Sequence, residues 1–203
     1  MIKDCFIGID TSNYTTSLAI CDIDGNILLN YKKILDVDAG ERGLRQSDAV
    51  FAHVKNLPEA LSEMGELLKD YTPLAIGVSS KPRDIEDSYM PCFLSGVAAA
   101  TAISNARNIP LYRFSHQSGQ IMAALASSGA CDKYLQSPFC AFHVSGGTTE
   151  VLYVESTDSG FAVTLLGGTA DLNAGQAIDR AGVAMGLKFP CGAELDKLAS
   201  GCN

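Results

Sequence analysis

The stretch Ser145-Gly146-Gly147-Thr148-Thr149 carries the most readable chemistry in this chain. An apolar run, Phe139–Val144, enters it, and an alternating run, Glu150–Val154, leaves it. That is the pattern of a β-hairpin, and paired glycines tolerate the positive φ that tight hairpin turns require. Adjacent glycines also bare their backbone amides, so a phosphate can approach the N–H groups closely. Ser145 beside glycines resembles a nucleophile elbow, but the Gly-x-Ser-x-Gly spacing is missing. Only three histidines exist, His53, His116 and His143, and no His-Glu-x-x-His motif is present, which excludes a zinc protease of that type.

The layout has an echo near the start. In Phe6–Ile20 an apolar strand leads into Asp10-Thr11-Ser12-Asn13-Tyr14, and Thr15-Thr16 stand where Thr148-Thr149 stand later. Such a repeat predicts two related half-domains, each offering a polar hairpin to a shared cleft. Two unrelated hairpins would give the same pattern.

The elements that must position these residues follow from periodicity. Cys5–Asp10, Thr16–Asp22 and Ile27–Ile34 read as three consecutive antiparallel strands, with a turn at Asp22–Asn26. Val50, Val54, Leu57, Leu61, Met64 and Leu68 recur at three and four residues and predict a helix over Ser47–Leu68. Pro58 inside it predicts a kink or a break into two helices. A strand over Leu74–Ser79, an Ala- and Gly-rich helix over Phe93–Asn105 and a strand over Ile109–Phe114 complete a first unit, 1–114. A second unit, 115–203, has a helix over His116–Ser127, the Ser145–Gly147 hairpin and a strand over Gly160–Leu166. A helix over Ala170–Gly186 and a stub over Leu195–Ala199 follow. Mixed sheets covered by helices result from this order. The α/β layout resembles the two-lobed actin-like ATPase (ASKHA, ribonuclease H-like) fold, with the second lobe incomplete.

A net charge of −8 with 47% hydrophobic residues suits a globular protein, and no Lys/Arg cluster offers a grip on a phosphate backbone. Any RNA substrate would then be held largely by another chain. No apolar run reaches membrane-span length, and a strand begins almost at once, so neither a membrane segment nor a signal peptide is expected. Seven cysteines without a Cys-x-x-Cys pair read as free, mostly buried thiols in a reducing cytoplasm.

Four motifs in order resemble one family. Val144-Ser145-Gly146-Gly147-Thr148-Thr149-Glu150 is similar to the Ser-Gly-Gly-His-Thr-Gln/Glu signature of the TsaD-type threonylcarbamoyladenosine synthases, formerly labelled O-sialoglycoprotein endopeptidases. Ala174-Gly175-Gln176-Ala177-Ile178-Asp179-Arg180 resembles their Ala-Gly-Glu-Ala-Phe-Asp-Lys. Gly186-Leu187-Lys188-Phe189-Pro190-Cys191-Gly192 resembles Gly-Leu-x-Tyr-Pro-Gly-Gly, and Ile9-Asp10-Thr11-Ser12 resembles Ile-Glu-Thr-Ser. The resemblance implies a transfer of the threonylcarbamoyl group from threonylcarbamoyl-adenylate to the exocyclic amine of adenosine beside the tRNA anticodon. It implies an adenine nucleotide or that adenylate lined by His143, Val144, Ser145, Gly146 and Gly147. Asp179 and Gly192 would contact ribose and base, and Asp196 would add an acidic contact. Implied partners are tRNA within a multi-subunit complex, an actin-like companion subunit and a small ATPase.

The chain departs from that family at the implied metal site. The family reads His-x-Glu-Gly-His, placing two imidazoles at i and i+4; here the stretch is His116-Gln117-Ser118-Gly119-Gln120. One divalent iron or zinc ion would fall to His116 and Gln120, and an amide oxygen is a weaker ligand than imidazole. The family's third ligand, an Asp near its C-terminus, has no counterpart here. The loop Lys81–Met90 is longer and more charged than the family's Gly-Pro-Gly turn, and Tyr14 and Thr15 replace an acidic pair. These departures predict either a fragment of a longer product or a shortened paralogue. As a paralogue it would be catalytically degenerate and act as a nucleotide-binding or complex-assembly subunit.

Overall fold

Alternation in the first thirty residues produces the strands that organise the molecule. In a computed structural model describing residues 3–36 and 44–201, β1 (Lys3–Ser12), β2 (Thr15–Asp22) and β3 (Ile27–Ile34) form an antiparallel meander. β4 (Tyr71–Lys81) then pairs parallel to β1, and β5 (Leu111–Ser115) parallel to β4. The sheet order is β3-β2-β1-β4-β5. Cys5, Ile7 and Ile9 on one face of β1 are buried, as are Leu18 and Ile20 on β2, so period-2 patterning fixes which face is the core.

Two helices cover the sheet. α1 (Gln46–Leu67) buries Leu57, Ala60 and Met64, and α2 (Phe93–Arg107) buries Ala100 beside Ile76 and Val78. Each of the larger side chains, Leu57, Met64, Ile76 and Val78, contributes about 2 kcal/mol on burial. Gly96 allows α2 to approach β1 closely: a Cβ there would stand 2.8 Å from Thr11 Oγ1.

Of the kink or break expected at Pro58, the break does not occur: α1 runs through it as one helix. The carbonyl that Pro58 leaves without a donor belongs to Val54, an exposed residue, so water can satisfy it. Beyond β5, α3 (His116–Ser127) packs on β4 and β5. The chain divides into two compact units, 1–129 and 130–203, so α3 groups with the first unit although the sequence reading assigns it to the second.

In the second unit α4 (Cys131–Tyr134) precedes β6 (Phe139–Val144), β7 (Thr149–Thr157) and β8 (Gly160–Gly168), an antiparallel sheet in the order β6-β7-β8. α5 (Ala174–Ala184) is shorter than the sequence predicts, because residues 170–173 form the loop that carries its cap, Asn173. Gly186, at φ +84°, lies just past its end, as the stop signal requires. α6 (Gly192–Ser200) follows.

Among the described residues no helix is long and apolar enough to cross a membrane. The described cysteines are free: Cys5, Cys92 and Cys191 are buried, Cys21 and Cys131 half-buried, and Cys140 exposed, while Cys202 lies outside the described residues.

Candidate functional site

Val144 pairs with Thr149, so Ser145–Thr148 form a four-residue connection between β6 and β7. Ser145 N–H donates to the Thr148 carbonyl at 2.7 Å, and Gly147 N–H donates to Ser145 Oγ at 3.2 Å. Gly146 and Gly147 are not in the left-handed region, so positive φ is not what these glycines supply. What they supply is space. A Cβ on either would meet nothing within 4 Å, and Ser145, Gly146 and Gly147 are exposed.

The N-terminus of α5 is docked on this turn. Gly175 N–H donates to the Ser145 carbonyl at 3.2 Å, and Ala174 N–H donates to Thr149 Oγ1 at 2.8 Å. Gln176 Oε1 accepts from Asn173 N–H at 3.4 Å, closing a capping box. The contact is possible only because residue 175 is glycine: a Cβ there would lie 2.6 Å from Gly146 N. The positive end of a helix thus abuts a glycine turn whose Gly146 N–H makes no hydrogen bond among the described residues. His143 sits one strand position before Val144, facing Glu150 across the ladder, with Nδ1 3.8 Å from Glu150 Oε2.

One turn along α5, Asp179 Oδ1 accepts the Cys191 N–H at 2.8 Å, which ties α5 to the start of α6. Gly182 makes room for this joint, because a Cβ there would stand 2.2 Å from Cys191 Cβ. Asp179 is half-buried, and its Oδ2 takes no hydrogen bond from the described residues. Burial raises the buried Cys191 thiol above its ordinary value, with Asp179 and Glu194 adding to the effect, so it stays protonated. A depression of about 470 Å³ runs along α5, lined by Gln176, Asp179, Arg180, Val183, Ala184 and Phe189. Asp179 is thus the one predicted ligand residue that lines it. Gly192 opens α6, and Asp196 is exposed one turn later. Gln176, Arg180 and Phe189 join the site unpredicted, although all three lie inside the motifs quoted above.

The first unit holds a separate polar cluster, at the C-terminal ends of the parallel strands. His116 Nδ1 lies 2.7 Å from Asp10 Oδ2, and Asp10 Oδ1 accepts the Ser12 N–H at 2.9 Å. Burial alone would raise the Asp10 carboxyl; the His116 bond and charge, with help from Ser79 and Ser12, outweigh it and hold the group below its ordinary 3.8. His116 is the first residue of α3, whose cap Ser115 accepts from Ser118 N–H at 3.1 Å. Asp84, from the loop after β4, accepts from Ser115 Oγ at 2.7 Å and Ser118 Oγ at 2.9 Å, and pairs with Lys81 at 3.1 Å. The charged loop is therefore a latch on the start of α3, a role its spacing does not announce.

These residues do not fit an iron or zinc centre. Among the described residues no three His, Cys, Asp or Glu side chains converge on a metal position. His116, with Nδ1 on Asp10, offers a single ring nitrogen, and Gln120 is an exposed amide, so the two supply at most two ligands. Such ions take about three or four protein ligands.

Residues 89–202 match the family model described as TsaD, tRNA N6-adenosine threonylcarbamoyltransferase. A protein of that name from Streptococcus agalactiae serotype V is 33% identical, with 98% of this chain aligned to 56% of the relative. Another, from Latilactobacillus sakei, is 30% identical over 97% of this chain and 54% of its own. The chain therefore spans about half the length of the curated relatives it matches. Among solved structures, a ROK family protein from Streptococcus pneumoniae TIGR4 superposes with a TM-score of 0.52 at 14% identity, covering 98% of this chain and 68% of that one. A ROK family transcriptional regulator gives 0.52 at 13% identity, over 91% of this chain and 50% of its own. The fold is accordingly the actin-like α/β fold.

Proposed function

The chain belongs to the TsaD family of tRNA N6-adenosine threonylcarbamoyltransferases, and from that premise we propose that its second unit binds the adenylate from which such a transfer starts. The observation that carries this reading is the Gly146 N–H, without a hydrogen bond among the described residues, beside the N-terminus of α5, which the Gly175 contact holds there. A phosphate placed on Ser145–Gly147 would meet a backbone donor and the positive helix end without displacing a side chain. His143 and Val144 lead the strand into that turn. Asp179 Oδ2 accepts a ribose hydroxyl while Oδ1 stays on Cys191, a charge-assisted bond. Gly192 opens α6, and Asp196 lies one turn further along it.

Transfer joins the exocyclic amine of adenosine to the carbamoyl carbon. The bond from that carbon to the phosphate oxygen breaks, adenosine monophosphate leaves with the electron pair, and the amine gives up one proton. The part assigned to this chain is positioning: donors fixed before the substrate arrives favour charge developing on the phosphate. Substrate tRNA, an actin-like companion subunit and a small ATPase belong to the same proposal, as does a cytoplasmic setting. A net charge of −8 agrees with a tRNA held mainly by other chains.

A second reading, a nucleotide-binding or complex-assembly paralogue without transfer activity, is favoured by one observation. Gln120 replaces the family's second histidine, and no metal-binding group forms among the described residues. Titration of adenosine monophosphate into the chain tests the shared core of both readings. Saturable binding weakened at least tenfold by Gly146→Val supports it, and absence of binding to the well-folded chain ends it. Transfer assayed with the companion proteins then separates the two readings.

A further inference from the structure

Both units open with the same meander, β1-β2-β3 and β6-β7-β8, each antiparallel and in sequence order. β1 is paired on both sides, antiparallel to β2 and parallel to β4. β6 holds the place of β1, yet among the described residues it is paired only to β7. The register identifies the backbone groups left over. Ser145 N–H bonds the Thr148 carbonyl, so the hydrogen-bonded pairs continue at His143–Glu150, Ala141–Leu152 and Phe139–Val154. Cys140, Phe142 and Val144 therefore aim their N–H and C=O groups away from β7. Their side chains share one face and are exposed, Phe142 at 75% and Val144 at 52%. Strand edges are ordinarily guarded by charge, proline or a bulge. β3 has such a guard in Lys32 and Lys33, whereas Phe139–Val144 contains no Lys, Arg, Asp, Glu or Pro and pairs without a register shift.

We propose that the open edge of β6 is a pairing site for a parallel β-strand, supplied by the part of the curated relatives' length that this chain does not span. The chain aligns to 56% of the Streptococcus agalactiae relative, so a large part of that protein lies outside the match. The first unit sets the chemistry of the occupant. There β4 brings Ile76 and Val78 beside Ile7 and Ile9 of β1, and α2 follows to cover them. The strand for β6 is accordingly a short run of β-branched aliphatics leading into a helix, buried on both faces as parallel strands are. Its backbone takes up the groups of Cys140, Phe142 and Val144, and its side chains and helix cover the exposed Phe142 and Val144. The pairing uses the outer edge of β6 and does not rest on the adenylate reading.

Amide hydrogen exchange on the 203-residue chain alone should show Cys140, Phe142 and Val144 exchanging fast, with Ala141 and His143 slower by about tenfold or more. Co-expression with the part of the Streptococcus agalactiae relative outside the aligned segment should yield a one-to-one complex in which those three amides become protected. Phe142→Pro removes an outward N–H that β7 does not use, so it should leave the urea midpoint of the chain alone nearly unchanged and abolish the complex. Phe142→Lys keeps the backbone donor but places a charge on the edge, and should weaken the complex about tenfold. Recovery of the chain without its partner, or a complex that survives both variants, would overturn the proposal. So would slow exchange at the three amides in the chain alone, whether as a monomer or as a self-associated species paired through β6. The exchange arm decides the matter even where Phe142→Pro does not fold.

Discussion

Gly175 stands so close to Gly146 that a Cβ on the first would lie 2.6 Å from the amide nitrogen of the second and 2.8 Å from its Cα. Both obstructing atoms are backbone, so nothing flexible can yield. Gly175→Ala should push α5 off the turn, break the bond to the Ser145 carbonyl and cost about 1–3 kcal/mol, the range for overpacking. Hydrogen exchange at β6 and β7 should accelerate, and affinity for adenosine monophosphate should fall. Unchanged protection and unchanged affinity in Gly175→Ala would show that this contact neither builds the turn nor shapes the pocket.

Asp179 has two separable duties. The Asn variant keeps an oxygen for the Cys191 N–H but removes the charge offered to a ribose. The Ala variant leaves that N–H unpaired beside a fully buried Cys191, at about 1–3 kcal/mol. Asp179→Asn should therefore unfold at nearly the wild-type urea concentration while binding nucleotide about tenfold more weakly, a loss of ~1.4 kcal/mol. Asp179→Ala should lose both. An Asn variant with full affinity would reduce Asp179 to a joint between two helices.

The sequence announces partners that are near in the chain or repeat with a simple period. β1–β3, the span of α1 and the glycine turn follow from alternation, 3.6-residue spacing and adjacent glycines, but the buried face of α1 is Ala49, His53, Leu57, Ala60 and Met64, so of the apolar positions read from the spacing only Leu57 and Met64 are buried and Val54 is exposed. The Asp10–His116 pair, 106 residues apart, does not follow from such patterns, because it exists only once β4 and β5 have been laid parallel to β1. Asp84 is hidden for the same reason: 34 residues separate it from Ser118, and a charged loop reads as a solvated one. The sequence reads Asp179 as lying in a helix, as it does in α5, but could not reveal that half of its carboxylate is already occupied by Cys191. Nor could glycine content alone distinguish positive φ, which Gly146 lacks, from close approach, which Gly175 shows.

The contact between α2 and β1 makes a third prediction. Thr11 and Gly96 meet in the core, where Thr11 Oγ1 donates to the Cys92 carbonyl at 2.9 Å and accepts from Gly96 N–H at 3.1 Å. Thr11→Val keeps the shape and removes both side-chain bonds, while Gly96 N–H and the Cys92 carbonyl still face each other as the first pair of α2, so it should cost about 0.5–1.5 kcal/mol. Gly96→Ala would bring a methyl within 2.8 Å of Thr11 Oγ1 and should cost about 1–3 kcal/mol by displacing α2. Urea unfolding of the two single variants and the double variant measures their coupling. Strict additivity would contradict a shared contact.

His53 sets the pH dependence of the first unit. It is fully buried, with Nδ1 2.8 Å from Thr16 Oγ1 and Nε2 2.9 Å from the Ser12 carbonyl. Burial lowers its pKa from the ordinary 6.5, and the Ser12 carbonyl and the Asp10 charge offset this only in part. The unfolded chain therefore binds a proton at a higher pH than the folded one. Between those two values the unfolded state carries more protons, so stability rises with pH. The contribution is fully present above 6.5 and is lost as the pH falls from there through the lower, folded value. Protonation would also remove the lone pair that accepts from Thr16, leaving that hydroxyl without its partner on the imidazole. Urea midpoints should drop on passing from neutral pH to about pH 5, and His53→Gln, which cannot titrate, should flatten that part of the slope. Equal slopes for wild type and His53→Gln across this window would assign the pH dependence to other groups.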